Sequence, residues 1–471
     1  MFRLFHLTFL FGFTLFCVGC AEEEPSQSGI PENIGEYVQT IPANAQRSGD
    51  ANLGKEYLLY GDYIKSGLPK SIYDFSLGAL VEANNLLQRE GVNEDVYFEY
   101  TSLVHPNGVE VVAPNCFQCH GGYVDNQFIL GLGNTFANFT NDQSEQANTL
   151  DFLVTSSFGN PSLEWDAYFP FIRAVKATGG NLVTETVGAN PADKLALVLA
   201  AHRDKNDLSW LDDPAYPIPS ELIPADVPAW WLLKKKTAMF STGIGQGDFA
   251  KMMMASSILT LEDSLEARII DEQFVNVKEF ILSLEAPSYP GEVDMAAAEK
   301  GKTLFELNCS FCHGTYGTNG SYSTKLIDLE VLDTDPHLAQ SNYAYADFEN
   351  WFNTSWFGVD QNFAKIVPGD GYIAQPLDGV WATAPYFHNG SVPSLEDVLN
   401  SGQRPEFWKK ETTFDNYDHQ KMGLKYLSVN SKEDIWTYDT NLLGYGNQGH
   451  TFGDHLSVSE RSDVIEYLKT L

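Results

Sequence analysis

Basic residues are scarce in this 471-residue chain: 29 Lys and Arg stand against 63 Asp and Glu, a formal charge of −34 at pH 7. Phosphate backbones are bound by clustered cations, so this balance excludes a nucleic-acid partner. It suits a basic redox partner, which opposite charge would steer toward the chain, and it equally suits solubility alone. Long apolar runs are absent beyond the first twenty residues. With 43% hydrophobic and 13% aromatic residues, the composition is that of a globular protein and excludes both wholesale disorder and repeated membrane spanning. Cysteine is equally sparse. Two of the six cysteines precede residue 21, and the other four form two C-x-x-C-H motifs, leaving none for a structural disulfide.

What is present starts with an export signal. Arg3 precedes an apolar run from Leu4 to Val18, too short for a comfortable span, which ends in Val18-Gly19-Cys20 before a polar stretch. Residues 1–19 are therefore expected to be a signal of the bacterial lipoprotein type, with Cys20 lipidated; an ordinary cleaved signal is the alternative. Either places the mature chain in the cell envelope, periplasmic or on an outer face, and the first adds a lipid anchor to a membrane. Residues 20–33 have a tether-like composition. The two prolines and the glycine of Glu285–Glu292 mark a boundary, giving domains at 34–286 and 287–471.

The two halves repeat one another. Asn115–Tyr123 and Asn308–Tyr316 share the frame N-C-x-x-C-H-G-x-Y. Each half ends in an apolar helical stripe, Val277, Phe280, Ile281 and Leu284 in the first and Val464, Tyr467, Leu468 and Leu471 in the second. A helix over 296–308 leads into the second motif, with Gly301 allowing close approach of the closing helix and Tyr467 lying against it. In the first half, the extra residues 133–262 include loops rich in Asn, Asp and Gly and a candidate helix over 192–202. The expected fold is mainly α: two cytochrome c-like haem domains with long irregular loops.

C-x-x-C-H supplies two thiols one helical turn apart, for thioether bonds to a porphyrin edge, and an imidazole for iron. Two copies in an exported chain point to two covalently bound haem c groups, on Cys116 and Cys119 with His120 as axial ligand, and on Cys309 and Cys312 with His313. A zinc site or a dithiol redox pair competes for C-x-x-C alone, without the histidine. The sixth ligand decides the chemistry, because a filled position carries electrons and an open one can react. For the second haem the candidates are His450, then His388, with Met422 placed last as part of an exposed Lys-rich stretch. For the first, His105 and His202 lie nearby without a ligand frame, so an open iron is expected. The segment Val227–Phe240 carries Trp230, Trp231 and three consecutive lysines before Phe240; it reads as a distal or inter-haem pocket wall, or as core beside a solvated basic patch.

At these motifs the chain resembles the dihaem cytochrome c peroxidase and methylamine-utilisation cytochrome superfamily, and within it the rubber-oxygenase-like branch. The resemblance is carried by residues 116–134, 228–248, 377–395 (LDGVWATAPYFHNGSVPSL) and 446–471. It implies a first haem that binds dioxygen or peroxide on an open face, shaped by Phe240 and by Trp230 or Trp231, and a six-coordinate second haem that supplies electrons. It also implies a redox partner protein and a small or polymeric substrate. The chain departs from dihaem peroxidases in having no Met between His388 and Met422, and it shows no acidic loop for the calcium ion that related peroxidases hold between their haems. The expectation is a dihaem oxidoreductase; the alternative is an electron carrier with both irons six-coordinate.

Overall fold

The computed structural model describes residues 29–79 and 86–471. The signal, Cys20 and residues 21–28 of the tether lie outside the described residues. No described helix is long and apolar enough to cross a membrane.

Each half is organised around a pair of crossing helices. Ala51–Tyr60 crosses Ser264–Ser283, and Met295–Asn308 crosses Val458–Leu468. All four begin at a side chain that satisfies otherwise unpaired N–H groups. Asp50, Asp263 and Asp294 each accept two of them, and Ser457 forms a reciprocal capping box with Glu460. At both crossings a glycine admits the partner's main chain. A Cβ on Gly54 would collide with the carbonyl of Asn276, and one on Gly301 with the carbonyl of Asp463. Main chain therefore occupies the space over Gly301 that was expected to take Tyr467. That ring packs one turn further on, 5.2 Å from Phe305.

The chain is 39% helix and 14% strand, a mixed α/β architecture rather than the mainly α fold expected. Part of the difference is short antiparallel strands in segments read as irregular. Tyr100–Val104 pairs with Glu110–Pro114, and Gly121–Val124 pairs with Gln127–Leu130 through Asp125 and Asn126, both at positive φ, as a two-residue hairpin turn requires. Val38–Thr40 pairs with Lys325–Asp328, which also pairs with Gly371–Ile373. The 133–262 region likewise holds more order than expected, since helices Gln143–Phe158 and Leu163–Thr178 pack together there. Pro170 lies inside the second and Gly159 closes the first at positive φ, so both carry sequence signals of broken helix.

Two large apolar clusters contain the motifs. One surrounds Cys116 and Phe117 and includes Trp351, Phe352 and Phe357 from beyond residue 287; the other surrounds Phe305 and Cys309 and includes Val124, Leu132 and Ala189 from before it. Consecutive residues of the short helix Trp230–Lys235 divide between them. Trp230 and Leu233 enter the first cluster, Trp231 and Leu232 the second.

Candidate haem sites

Both C-x-x-C-H motifs form a single helical turn, with His120 N donating to Cys116 O and His313 N to Cys309 O, each at 3.0 Å. The first turn is braced by Asn115, whose Oδ1 accepts from Phe117 N while its Nδ2 donates to Phe98 O. Asn134 holds the other side, donating to Cys119 O and Gln118 O. All four thiols are unpaired. Burial pushes Cys116 and Cys309 up to about 12 and Cys119 and Cys312 up to about 11, the reverse of the lowered values that make a dithiol reactive or metal-binding.

The first motif opens on a cavity of about 440 Å³. Cys116, Cys119 and His120 lie on its wall, and the remaining lining is mostly aliphatic and aromatic. Among the described residues His120 is the only histidine on this wall. The imidazole stacks 4.8 Å from the Trp230 ring, 28° from parallel, and its Nδ1 is buried without a partner among the described residues. Burial drives His120 down to about 3, which keeps it neutral, as a metal ligand must be. A large apolar cavity walled by two thiols and a neutral imidazole fits a covalently attached haem.

Trp230 thus lies on the His120 side of this cavity. Trp231 is absent from the wall; its Nε1 donates to Asp378 O at 2.8 Å inside the other cluster. Phe240 does line the cavity, at φ 67°. Of the lysines that follow the tryptophans only the first is exposed, so they do not form a continuous solvated patch. Lys234 pairs with Glu285, Lys235 pairs with Asp378, and Lys236 is buried. His202 caps a helix, stacks on Trp210 and bonds Leu211 O through Nδ1. His105 sits in the turn of the 100–114 hairpin. Neither lines the cavity. Met239, Met252 and Met253 do, potential sulfur donors that no motif marks.

At the second motif, His313 Nδ1 lies 2.8 Å from Gln375 O. With Nδ1–H donated to that carbonyl, Nε2 is left as the ligand atom. The ring of His450 lies across from it, centroids 6.3 Å apart, a separation that accommodates one metal atom bonded at about 2 Å to each ring. Burial drives His450 down to about 3. The residue has φ 47°, held because its N–H bonds Leu332 O and because Arg404 donates to the carbonyls of Asn447, Gly449 and His450. Arg404 is the positioning residue that sequence reasoning missed; it occurs in no recognisable motif. Replacing it with alanine should free the 447–450 loop and convert a low-spin second haem to a mixture of spin states, read by optical absorption and electron paramagnetic resonance. A wholly low-spin spectrum would reduce Arg404 to a surface brace.

His388 is buried with its ring stacked on Tyr372 at 3.8 Å, and its Nε2 has no partner among the described residues. Met422, expected to be exposed, is fully buried; the Tyr417 hydroxyl donates to its sulfur at 3.4 Å. The apolar pairing of Gly423–Leu424 with Tyr417–Asp418 folds this Lys-flanked segment inward.

Residues 371–409, which contain Gln375 and His388, match the family described as RoxA-like, cytochrome c-like. The uncharacterized proteins y4iM and y4iJ of Sinorhizobium fredii are 29% identical over 230 residues and 28% identical over 253, covering 41% and 40% of this chain and 53% and 41% of theirs. The cbb3-type cytochrome c oxidase subunit CcoP of Azospirillum brasilense is 40% identical over 74 residues, 16% of this chain and 22% of that one. The chain spans about half or less of the length of these relatives. The matched cytochrome c-like domain implies covalently bound haem c and suggests a role in electron transfer or oxidoreduction.

Proposed function

We propose that the chain is an exported dihaem oxidoreductase of the cell envelope, in which the haem at Cys116 and Cys119 reacts with dioxygen or peroxide and the haem at Cys309 and Cys312 transfers electrons. The observation that carries this reading is the asymmetry of the histidines: His450 lies across from His313, whereas among the described residues His120 is the sole imidazole on its cavity wall. A haem iron with an open position binds and activates oxygen ligands, and one with both axial positions filled exchanges electrons.

The residues divide that work. The apolar cavity wall excludes water, and Trp230 fixes the plane of the His120 ring. Gln375 O orients His313 and Arg404 fixes the loop of His450. Trp230 and Trp231, adjacent in sequence and buried in different clusters, offer an aromatic route between the two centres. The acidic surface suits a basic cytochrome as electron partner. The substrate is a molecule small enough, or a polymer end narrow enough, to enter the first cavity.

A second reading rests on Met239, Met252 and Met253. A thioether from one of them to iron would fill the first haem and make the protein an electron carrier. Carbon monoxide separates the two. Added to reduced protein with two haems per chain, it should shift the spectrum of one haem; a spectrum left unchanged would overturn the open first haem in favour of the carrier.

A further inference from the structure

The first cavity contains a buried cation that, among the described residues, pairs with none of the three carboxylates on the same wall, Asp193, Asp226 and Glu349. Lys236 is 8% exposed and is the only Lys or Arg among the described residues lining the cavity. Its two predecessors are paired with acids, yet among the described residues Lys236 makes no ion pair. Its ammonium donates one hydrogen bond, to Gln375 Oε1 at 2.9 Å, leaving two N–H groups unused. Burial draws it down to about 7. A buried ammonium either gives up its proton or finds a negative partner.

The same glutamine reaches the second motif. Its main-chain carbonyl holds His313 Nδ1 at 2.8 Å, and its side-chain Nε2 is buried without a partner among the described residues. Lys236 and Gln375 together therefore present spare donors beside a cavity that fits haem. The porphyrin edge away from the thioether bonds carries two propionates, the one anionic feature of that ligand.

We propose that Lys236 binds a propionate of the haem attached at Cys116 and Cys119 and, through Gln375, ties that haem to the axial imidazole of His313. This rests on the reading that both motifs carry haem. Lys236 is then a positioning residue with an electrostatic consequence. Its charge offsets the propionate and favours the reduced state, and any shift of the propionate on reduction is felt at Gln375 and so by the hydrogen bond that sets the basicity of His313.

Redox titration with optical detection, on protein whose haem content is measured alongside, tests the proposal. At two haems per chain, Lys236→Met should lower the reduced-to-oxidised ratio of the first haem about tenfold at fixed ambient potential, a 59 mV decrease, and Lys236→Arg should restore most of it. Gln375→Leu keeps the cation. It should leave the first potential near wild type while abolishing the dependence of the second haem's potential on the redox state of the first. An unmoved first potential in Lys236→Met, or an intact dependence in Gln375→Leu, overturns the proposal. Should Lys236→Met lose haem, the propionate bending band in the resonance Raman spectrum of Lys236→Gln decides, and a band identical to wild type overturns it. Wild-type protein with one haem per chain would instead refute the underlying dihaem reading.

Discussion

His450→Ala is expected to turn the second haem from low-spin to high-spin and to raise carbon monoxide binding from one haem per chain to two. The imidazole of His450 lies across from that of His313 at the separation one bridging metal atom needs, and alanine leaves no donor in its place. The backbone around it is held independently by Arg404 and by the bond from residue 450 to Leu332 O, so the loop should keep its course and the first haem its spectrum. Loss of a strong axial donor also changes the potential of the second haem, because axial ligation is a main determinant of that quantity. Persistence of a low-spin second haem would move the assignment to His388, whose Nε2 is buried and free of any partner among the described residues. His388→Ala would then have to produce the high-spin form.

Local chemistry made part of this arrangement readable from the sequence. C-x-x-C-H needs only one turn of helix, so its atoms are placed by spacing alone. The 295–308 helix and its glycine were legible because they lie directly before the second motif. Its counterpart was not, since Ala51–Tyr60 is separated from Cys116 by the 100–114 hairpin and the segments around it. Gly54 nonetheless meets Asn276 and Val277 as Gly301 meets Asp463 and Val464, which extends the internal repeat to both helix crossings. Long-range groups left no local trace. Arg404 acts through carbonyls more than forty residues away, and Lys236 through a glutamine in the other half of the chain. The burial of Met422 went unread for the same reason: lysine-flanked sequence suggests solvent, and only strand pairing turns it inward.

Gly301→Ala and Gly54→Ala test that repeat, because two effects of opposite sign compete at each site. Helix propensity favours alanine over glycine by about 1 kcal/mol in a helix interior, so an isolated helix would gain stability. At the crossings the added methyl meets a main-chain carbonyl. A carbonyl already committed within its own helix cannot rotate away as a side chain can, and the helices must separate. Overpacking of this kind costs about 1–3 kcal/mol and sometimes more, with loss of neighbouring contacts such as that of Phe305 with Tyr467. The collision should win. A net loss of about 2 kcal/mol corresponds to a fall of about 4–8 °C in Tm for a unit of this size, measured by thermal denaturation of the haem-loaded protein. Valine at either position should be worse, since it adds bulk to the same contact and lowers helix propensity relative to alanine. A Tm equal to or above wild type in either alanine variant would mean that the helices can part without cost, and that half would no longer share the glycine-mediated crossing. Comparable losses in both would show one packing device used twice, once beside each C-x-x-C-H turn.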